Sequence, residues 1–277
     1  DVLGVGGLGF LAKPGVYVPP RPFERYLMDS DQLRARNGRY LIKLTEPMEE
    51  AAYLDAATIQ VYDLPDDWSL ALDERMGAGD PVVTGRAITY RRSTLPSRVT
   101  NQQGDDVTSL VSYRDTHAPD PGAIDRRFVG LLAENQVLTV EFEEPIDTTG
   151  AVLLADGWLE YGYSQTVFAA WQAGKRYQAP SLEAKDRSGN WHPLLQEFGY
   201  PAGMPKQMAI PLTNLPLGTN AIRLSSNMEI YWDRLQIVWE ERLEDTSPIT
   251  IQPITARIAK IGFPKRTTGA QRLPDYD

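Results

Sequence analysis

The stretch QVLTVEFEE, residues 136–144, alternates apolar and polar side chains along its length. Leu138, Val140 and Phe142 fall on one face of an extended chain, and the residues between them fall on the other. A period of two is typical of a β-strand with one face buried in a core. The stretch therefore predicts a β-sheet that is packed on one side.

The same alternation recurs in segments along the whole chain, separated by turn-forming residues. The chain contains 22 Gly and 21 Pro, which favours many short strands over long helices. Further strand candidates are GRYLIKLTE (38–46), ATIQVYDL (57–64), PVVTGRAITYRR (81–92), SLEAKD (181–186), QMAIPL (207–212), NAIRLSS (220–226), DRLQIVWEE (233–241) and ITARIAKIGF (254–263).

These strands predict an all-β protein with two antiparallel β-sandwich domains of the jelly-roll or galactose-binding-like kind. The segment 101–127 is polar and rich in Gly, Pro and Asp, which is typical of an irregular connection. We therefore expect an N-terminal β-rich domain at 1–130, a jelly-roll-like sandwich at 131–245, and a C-terminal strand and tail at 246–277.

One short helix is predicted in SQTVFAAWQAGKRY. Ser164 has the residue type of an N-cap, and Gly174 is suited to end a helix. Val167, Phe168 and Trp171 fall on one stripe of the helix.

Composition excludes several classes of partner and chemistry. The net charge of −9 argues against a nucleic-acid-binding face, which needs clustered basic residues. No apolar run reaches the ~18 to 20 residues that cross a bilayer, so no membrane span is expected. The chain has no cysteine, which excludes disulfides, thiolate nucleophiles and zinc sites built on cysteine.

The opening residues GVGGLG, at 4–9, match the dinucleotide-binding pattern G-x-G-x-x-G. That pattern binds a pyrophosphate only where a strand leads into it and a helix follows it. Here three residues precede the first glycine, and Pro14, Pro19 and Pro20 follow, so a turn-rich entry segment is predicted instead.

Longer strings of residues resemble a known family. The strings are ADGWLEYGYSQTVFAAWQAG (155–174), SLEAKDRSGNW (181–191), FGYPAGMPKQM (198–208), NMEIYWDRLQIV (227–238), GRYLIKLTEPMEEAAYLDAATIQVYDLP (38–65) and IGFPKRTTGAQRLPDYD (261–277). They resemble the region that follows FG-GAP-type propeller repeats in exported bacterial proteins of the ASPIC/UnbV, or cartilage acidic protein-like, group. The resemblance implies a propeller before residue 1 and further sequence after Asp277, and it implies no specific activity. The chain departs from that group in having no propeller and no D-x-D-x-D-G repeat within it.

Catalytic signatures are missing from the sequence. It contains no G-x-S-x-G elbow, H-E-x-x-H helix or P-loop, and its two histidines, His117 and His192, are expected in turns or on the surface. A pair of carboxylates such as Glu160 with Asp233 leaves open a glycan-active hydrolase, because the distance between them depends on tertiary structure.

Acidic residues crowd two loops, where they are expected to be solvated or to form turns. Calcium, which takes oxygen ligands from loops, is the alternative, and no other cofactor is predicted. The crowded residues are Asp105, Asp106, Asp115, Asp120 and Asp125 in one loop and Asp63, Asp66 and Asp67 in the other.

The second half of the chain is rich in aromatic residues, whose rings either fill a core or bind a ligand. In YWDRLQIVW, alternation does not allow Tyr231 and Trp232 to be buried on one face. The predicted ligand site is one surface with aromatic side chains flanked by polar ones. Its residues are Trp158, Tyr161, Tyr163 and Tyr200, with Asp156, Gln165 and Asp233 as polar contacts.

These features predict a non-catalytic binding or assembly module rather than an enzyme. We expect it to act outside the cytoplasm, in the periplasm, at the cell surface or after secretion, as an accessory part of a larger protein or complex. Its expected partner is a glycan or another protein. The glycan-active hydrolase stays the alternative.

Overall fold

A computed structural model describes residues 25–30, 32–44, 56–76, 81–201, 203–243, 247–260 and 262–276. The GVGGLG segment lies outside these ranges. The regular elements are β1 (Ile59–Val61), β2 (Ser69–Leu72), β3 (Ala87–Thr94), β4 (Arg98–Thr100), β5 (Leu131–Glu141), β6 (Ala151–Leu159), α1 (Ser164–Gln172), β7 (Ser181–Lys185), β8 (Trp191–Leu195), β9 (Lys206–Pro211), β10 (Ala221–Met228), β11 (Ile230–Glu240), β12 (Ile249–Ile251), β13 (Arg266–Thr268) and β14 (Pro274–Tyr276), with 3₁₀ turns at Thr108–Val111 and Ala270–Arg272.

Two five-stranded sheets form the body of the protein. The first sheet has the strand order β4-β5-β10-β7-β8, and the second has the order β2-β3-β11-β6-β9. All neighbouring strands in both sheets are antiparallel. The predicted all-β antiparallel sandwich is confirmed.

The main core lies between the two sheets. Leu138 and Val140 of the first sheet and Leu153 and Ile237 of the second are at most 1% exposed and belong to one apolar cluster. Phe142, the third apolar residue of the alternating stretch, is buried in the same cluster. Alternation thus placed the inward face of β5 correctly.

The predicted domain boundary near residue 130 runs through this sandwich. β3 pairs with β11, and β4 pairs with β5, so strands from before residue 130 complete both sheets. The turn-rich segment 101–127 connects one part of the sandwich to another, rather than linking two domains. Turn-forming composition alone does not distinguish these two kinds of connection.

The second sheet curls until its edge strands meet. The backbone N–H of Glu74, just beyond β2, donates to the carbonyl of Gln207 in β9 at 2.9 Å. The N–H of Leu72 donates to the side-chain oxygen of Gln207 at 3.0 Å. A second, smaller core fills the curled face, and all nine residues of β6 are buried as a result. A strand buried on both faces shows no alternation, which explains the run AVLLADGWL.

A β-bulge in β11 separates two neighbouring aromatic residues. Pairing between β11 and β6 shifts between Trp232 and Arg234. Trp232 belongs to the main core, whereas Tyr231 packs on the opposite face against Trp158. A Cβ at Gly157 would lie 2.5 Å from the carbonyl oxygen of Tyr231, so only glycine fits there. The prediction that the two aromatic residues do not share a face is confirmed.

Two predicted strands are wrong in the parts that the structure describes. Residues 38–44 and 254–260 form no strand, and Leu41 and Ile258 are among their exposed side chains. A segment with alternating side chains forms a strand only if a neighbouring strand pairs with it, and the described part of the chain supplies none here.

The β7–β8 hairpin is held by Asp186 at its turn. Its carboxylate accepts the backbone N–H of Ser188 at 2.8 Å and that of Asn190 at 2.9 Å, and Nε2 of His192 lies 2.6 Å from its other oxygen. The His192 contact first, and then the backbone donors, lower the pKa of Asp186 from 3.8 to about 2.

We predict that replacing His192 moves this pKa back toward its usual value. The pKa of Asp186 is lower in the folded state, so its ionised carboxylate stabilises the fold above about pH 4 and loses that effect as pH falls to about 2. In His192→Ala, an NMR titration of the Asp186 carboxyl is expected to show a midpoint above that of the wild type. The pKa of Asp125, held at about 2 chiefly by Arg127, should not change and serves as the control. An unchanged Asp186 midpoint would contradict this account.

Candidate functional site

The seven residues predicted to bind a ligand lie in three separate places. The first place is one end of the curled face of the second sheet, the second is the start of α1, and the third is the connection between β8 and β9. The first holds Asp156, Trp158 and Asp233, the second holds Tyr161, Tyr163 and Gln165, and the third holds Tyr200.

Two of the aromatic residues predicted to bind a ligand are buried. Trp158 is 0% exposed, stacks on Tyr231 at a centroid distance of 5.6 Å, and donates its indole N–H to the carbonyl of Gln271 at 2.8 Å. Tyr200 is 1% exposed within the main core, and its backbone pairs with that of Met76. Neither ring presents a face to solvent, so the single aromatic surface expected from the sequence is not formed.

Asp156 is part of a buried polar network. Its carboxylate accepts hydrogen bonds from Nε of Arg234 at 2.8 Å and from the side-chain amide of Gln207 at 3.2 Å. Nε of Arg114 lies 3.8 Å from the same carboxylate. These contacts join β6, β9 and β11 to the loop that carries Arg114, so Asp156 stabilises the end of the second sheet.

Asp233 anchors the loop at residues 112–118. The carboxylate is buried and accepts the backbone N–H groups of Asp115 at 3.1 Å and Thr116 at 2.9 Å. Burial raises the pKa of Asp233, and Asp156 and Asp115 raise it further, while the two N–H donors oppose them. Thr116 has a φ of 65°, which is unfavourable for a β-branched residue, and the Asp233 contact holds this conformation.

The proposed carboxylate pair of Glu160 and Asp233 is not brought together. Glu160 follows β6 and donates its backbone N–H to the carbonyl of Glu229 at 3.2 Å, whereas Asp233 lies between the β11 residues that pair with Gly157 and Asp156. Three or more residue positions along the strands, at about 3.3 Å each, therefore separate the two residues.

Both histidines are exposed on the surface, which is one of the two expected placements, and His192 lies at the start of β8. The Nδ1 atom of His117 lies 2.9 Å from the carbonyl oxygen of Asp115, and its side chain is exposed. His192 is bound to Asp186 in the β7–β8 hairpin.

In the loop at 101–127, the acidic residues hydrogen-bond to nearby residues of the same loop. Asp106 accepts the hydroxyl and backbone N–H of Thr108, and Asp120 accepts the N–H of Gly122. In the ranges that the structure describes, no three His, Cys, Asp or Glu residues cluster closely enough to hold a metal ion. Calcium binding stays a prediction from the sequence.

A cleft of about 440 Å³ lies beside β2 and β3 and contains none of the predicted ligand residues. Three of its charged side chains, Arg86, Glu240 and Glu241, are held in ion pairs. Arg86 binds Glu240, and Arg91 at its margin binds Glu241.

An exposed aromatic surface forms instead on α1. We define the α1 aromatic surface as Tyr163, Phe168 and Trp171, which are 44%, 48% and 44% exposed, together with the exposed Gln165. Phe168 and Trp171 stack at a centroid distance of 5.7 Å. Tyr161, partly buried against the main core, contacts Tyr163 edge to face at 5.7 Å.

The predicted helix is confirmed, but its buried stripe and its N-cap differ from the prediction. Ala170 is buried and Val167 packs on the main core, so Phe168 and Trp171 face outward. The N-cap is Tyr163, and no side chain caps the helix.

The ends of α1 are anchored to the sandwich. Gly174 has a φ of 74° and donates its N–H to the carbonyl of Trp171, which ends the helix as predicted. Beyond it, the hydroxyl of Tyr177 donates to the carbonyl of Val129 at 2.5 Å. A Cβ at Gly162 would lie 3.1 Å from that same carbonyl oxygen, so the chain before the helix also packs closely. The helix therefore presents its aromatic side chains from a fixed support.

No helix in the described ranges is both long and apolar enough to cross a membrane. Comparison of the chain with models of protein families and with curated proteins finds no match.

Proposed function

We propose that this protein is a non-catalytic binding module that acts outside the cytoplasm and that its α1 aromatic surface binds a glycan. The module serves as an accessory part of a larger cell-surface or secreted protein or complex. The observation that carries the proposal is the pair Phe168 and Trp171, stacked on each other and nearly half exposed on a helix anchored to a sandwich.

The chemistry of the surface suits a sugar. A pyranose ring has apolar C–H faces that pack on aromatic rings, and its hydroxyls need hydrogen-bond partners. Gln165, one turn before Phe168, and Gln172, at the end of the helix, carry exposed amides that both donate and accept. A cluster of exposed apolar side chains rimmed by polar ones is a feature of binding sites.

The extracytoplasmic location is supported by the resemblance to exported bacterial proteins. The binding role is supported by the carboxylates, because Asp156 and Asp233 hydrogen-bond to other parts of the fold and Glu160 lies several positions away from Asp233 along the strands. Of the seven residues that the sequence predicts to bind a ligand, Tyr163 and Gln165 belong to the α1 aromatic surface.

A panel of immobilised neutral and acidic oligosaccharides tests the proposal. The intact protein is expected to bind a subset of the panel, and Phe168→Ala is expected to weaken that binding about tenfold, because it removes one face of the stack. Tyr113→Ala is the matched control, since Tyr113 is 66% exposed and lies outside α1. The proposal fails if no oligosaccharide binds, if Phe168→Ala binds like the wild type, or if the protein releases sugar products that Glu160→Gln abolishes.

A further inference from the structure

The segment between β13 and β14 contacts the sandwich mainly through side chains, as a bound peptide does. The side-chain amide of Gln271 accepts the backbone N–H of Ala118 at 3.1 Å and donates to its carbonyl at 2.5 Å. The carbonyl of Gln271 accepts the indole N–H of Trp158, and Leu273 packs on the small cluster that contains Trp158 and Ala118. In the described ranges β13 and β14 pair only with each other, so no sheet joins this segment to the sandwich.

Between these contacts, Arg272 reaches a buried carboxylate. Nε of Arg272 donates to Oε1 of Glu229 at 3.0 Å, and the hydroxyl of Tyr231 donates to the same oxygen at 2.7 Å. Glu229 is fully buried, whereas the side chain of Arg272 is 41% exposed, so the guanidinium approaches the carboxylate from the surface. Glu160 donates its backbone N–H to the carbonyl of Glu229 at 3.2 Å. Burial raises the pKa of Glu160, and the positive charge of Arg272 is the strongest influence that opposes this rise.

The second carboxylate oxygen of Glu229 is unpaired. Oε2 is buried and accepts no hydrogen bond from the part of the chain that the structure describes. A guanidinium binds a carboxylate most strongly when two of its N–H groups meet both oxygens, and an unpaired buried acceptor is unfavourable. Arg272 donates to Glu229 through Nε, at one oxygen. The tethered arginine therefore fills a guanidinium position without making the strongest contact that this position allows.

The backbone that carries this arginine is strained. Gln271 and Arg272 have φ values of 51° and 57°, in the left-handed region that residues with a side chain rarely adopt. The connection that precedes the segment is exposed throughout residues 252–260 and contains no helix or strand there. Departure of the segment would relieve the strain and break no sheet, so the position is suited to exchange with another ligand.

We propose that Glu229, Glu160 and Tyr231 form a binding site for the guanidinium of an arginine-bearing peptide, and that the chain's own Arg272 occupies this site in the present structure. In the ligand, the residue before the arginine pairs a side-chain amide with the backbone of Ala118, and the residue after it is apolar. A peptide that is free of the tether relieves the backbone strain and engages both oxygens of Glu229. This site lies outside the α1 aromatic surface and does not depend on glycan binding.

The full chain with Arg272→Glu tests this proposal, because a third carboxylate beside Glu229 and Glu160 should drive the tethered segment out. The probe is a labelled synthetic peptide of residues 266–276, RTTGAQRLPDY, and fluorescence anisotropy measures its binding. The peptide is expected to bind Arg272→Glu about tenfold or more tightly than the wild type, whose site is filled. Arg257→Glu makes the same change of charge in the exposed connection and should bind the peptide as the wild type does.

Changed peptides test whether the guanidinium is the group that is recognised. Citrulline in place of Arg272 keeps the shape of the side chain and removes its charge, so this peptide should bind Arg272→Glu about tenfold or more weakly. Citrulline in place of Arg266 should have a much smaller effect. Equal binding of the unchanged peptide by Arg272→Glu and the wild type overturns the proposal, as does equal binding of the unchanged peptide and the peptide with citrulline in place of Arg272.

Discussion

Trp158→Ala is expected to destabilise the fold by about 3 to 5 kcal/mol, the range for truncating a buried large aromatic residue. Trp158 is 0% exposed and stacked on Tyr231. Its indole N–H also donates to the carbonyl of Gln271, and this hydrogen bond joins the C-terminal segment to β6. The substitution thus removes a buried ring and releases a contact between distant parts of the chain.

Urea unfolding of Trp158→Ala, with Trp171→Ala as the control, measures this loss of stability. Trp171 is 44% exposed, so its removal should change the free energy of unfolding by less than about 1 kcal/mol. Equal stability of Trp158→Ala and the wild type would show that Trp158 is not part of the core.

Arg75→Met is expected to cost about 3 to 5 kcal/mol of stability, because it leaves a buried charge without its partner. Arg75 is 1% exposed and binds both oxygens of Asp73, at 2.7 and 2.8 Å. It also donates to the carbonyl of Phe198 at 2.7 Å. A Cβ at Gly199 would lie 3.3 Å from the Cβ of Arg75, so the neighbouring backbone is fitted closely around this side chain.

The double variant Arg75→Met with Asp73→Leu removes the ion pair without leaving an unpaired carboxylate. Its free energy of unfolding therefore shows how much of the cost of Arg75→Met comes from the buried charge of Asp73. Removing both charges should cost less than removing Arg75 alone, because no buried carboxylate is then left without a cation. Chemical denaturation of the single and double variants provides the comparison. If the loss of stability in the double variant equals the sum of the losses in the two single variants, the ion pair does not explain the cost.

The fold was predictable wherever one face of a strand meets solvent. The alternation in β5 correctly placed Leu138 and Val140 in the core. β6 is buried on both faces because the second sheet curls, and no local sequence pattern predicts that curl. The segment around Leu41 alternates equally well and forms no strand, because strand pairing depends on residues far away in the sequence.

The candidate site was predictable only in part, for a related reason. The pairs Val167 with Ala170 and Phe168 with Trp171 both have helical spacing and both are apolar, so periodicity alone does not decide which pair faces inward. Trp158 is covered by residues more than a hundred positions later in the chain. Aromatic density therefore pointed to the half of the chain that carries the α1 aromatic surface, whereas tertiary contacts decided which rings stayed exposed.

Titration calorimetry of Trp171→Ala with the oligosaccharide that the panel selects tests the central claim most directly. Loss of one aromatic ring from a stacked contact removes about 1.5 to 3 kcal/mol of apolar transfer, so the Kd should rise about tenfold or more. The unfolding transition should remain that of the wild type. A Kd equal to that of the wild type would show that the α1 aromatic surface does not bind the glycan.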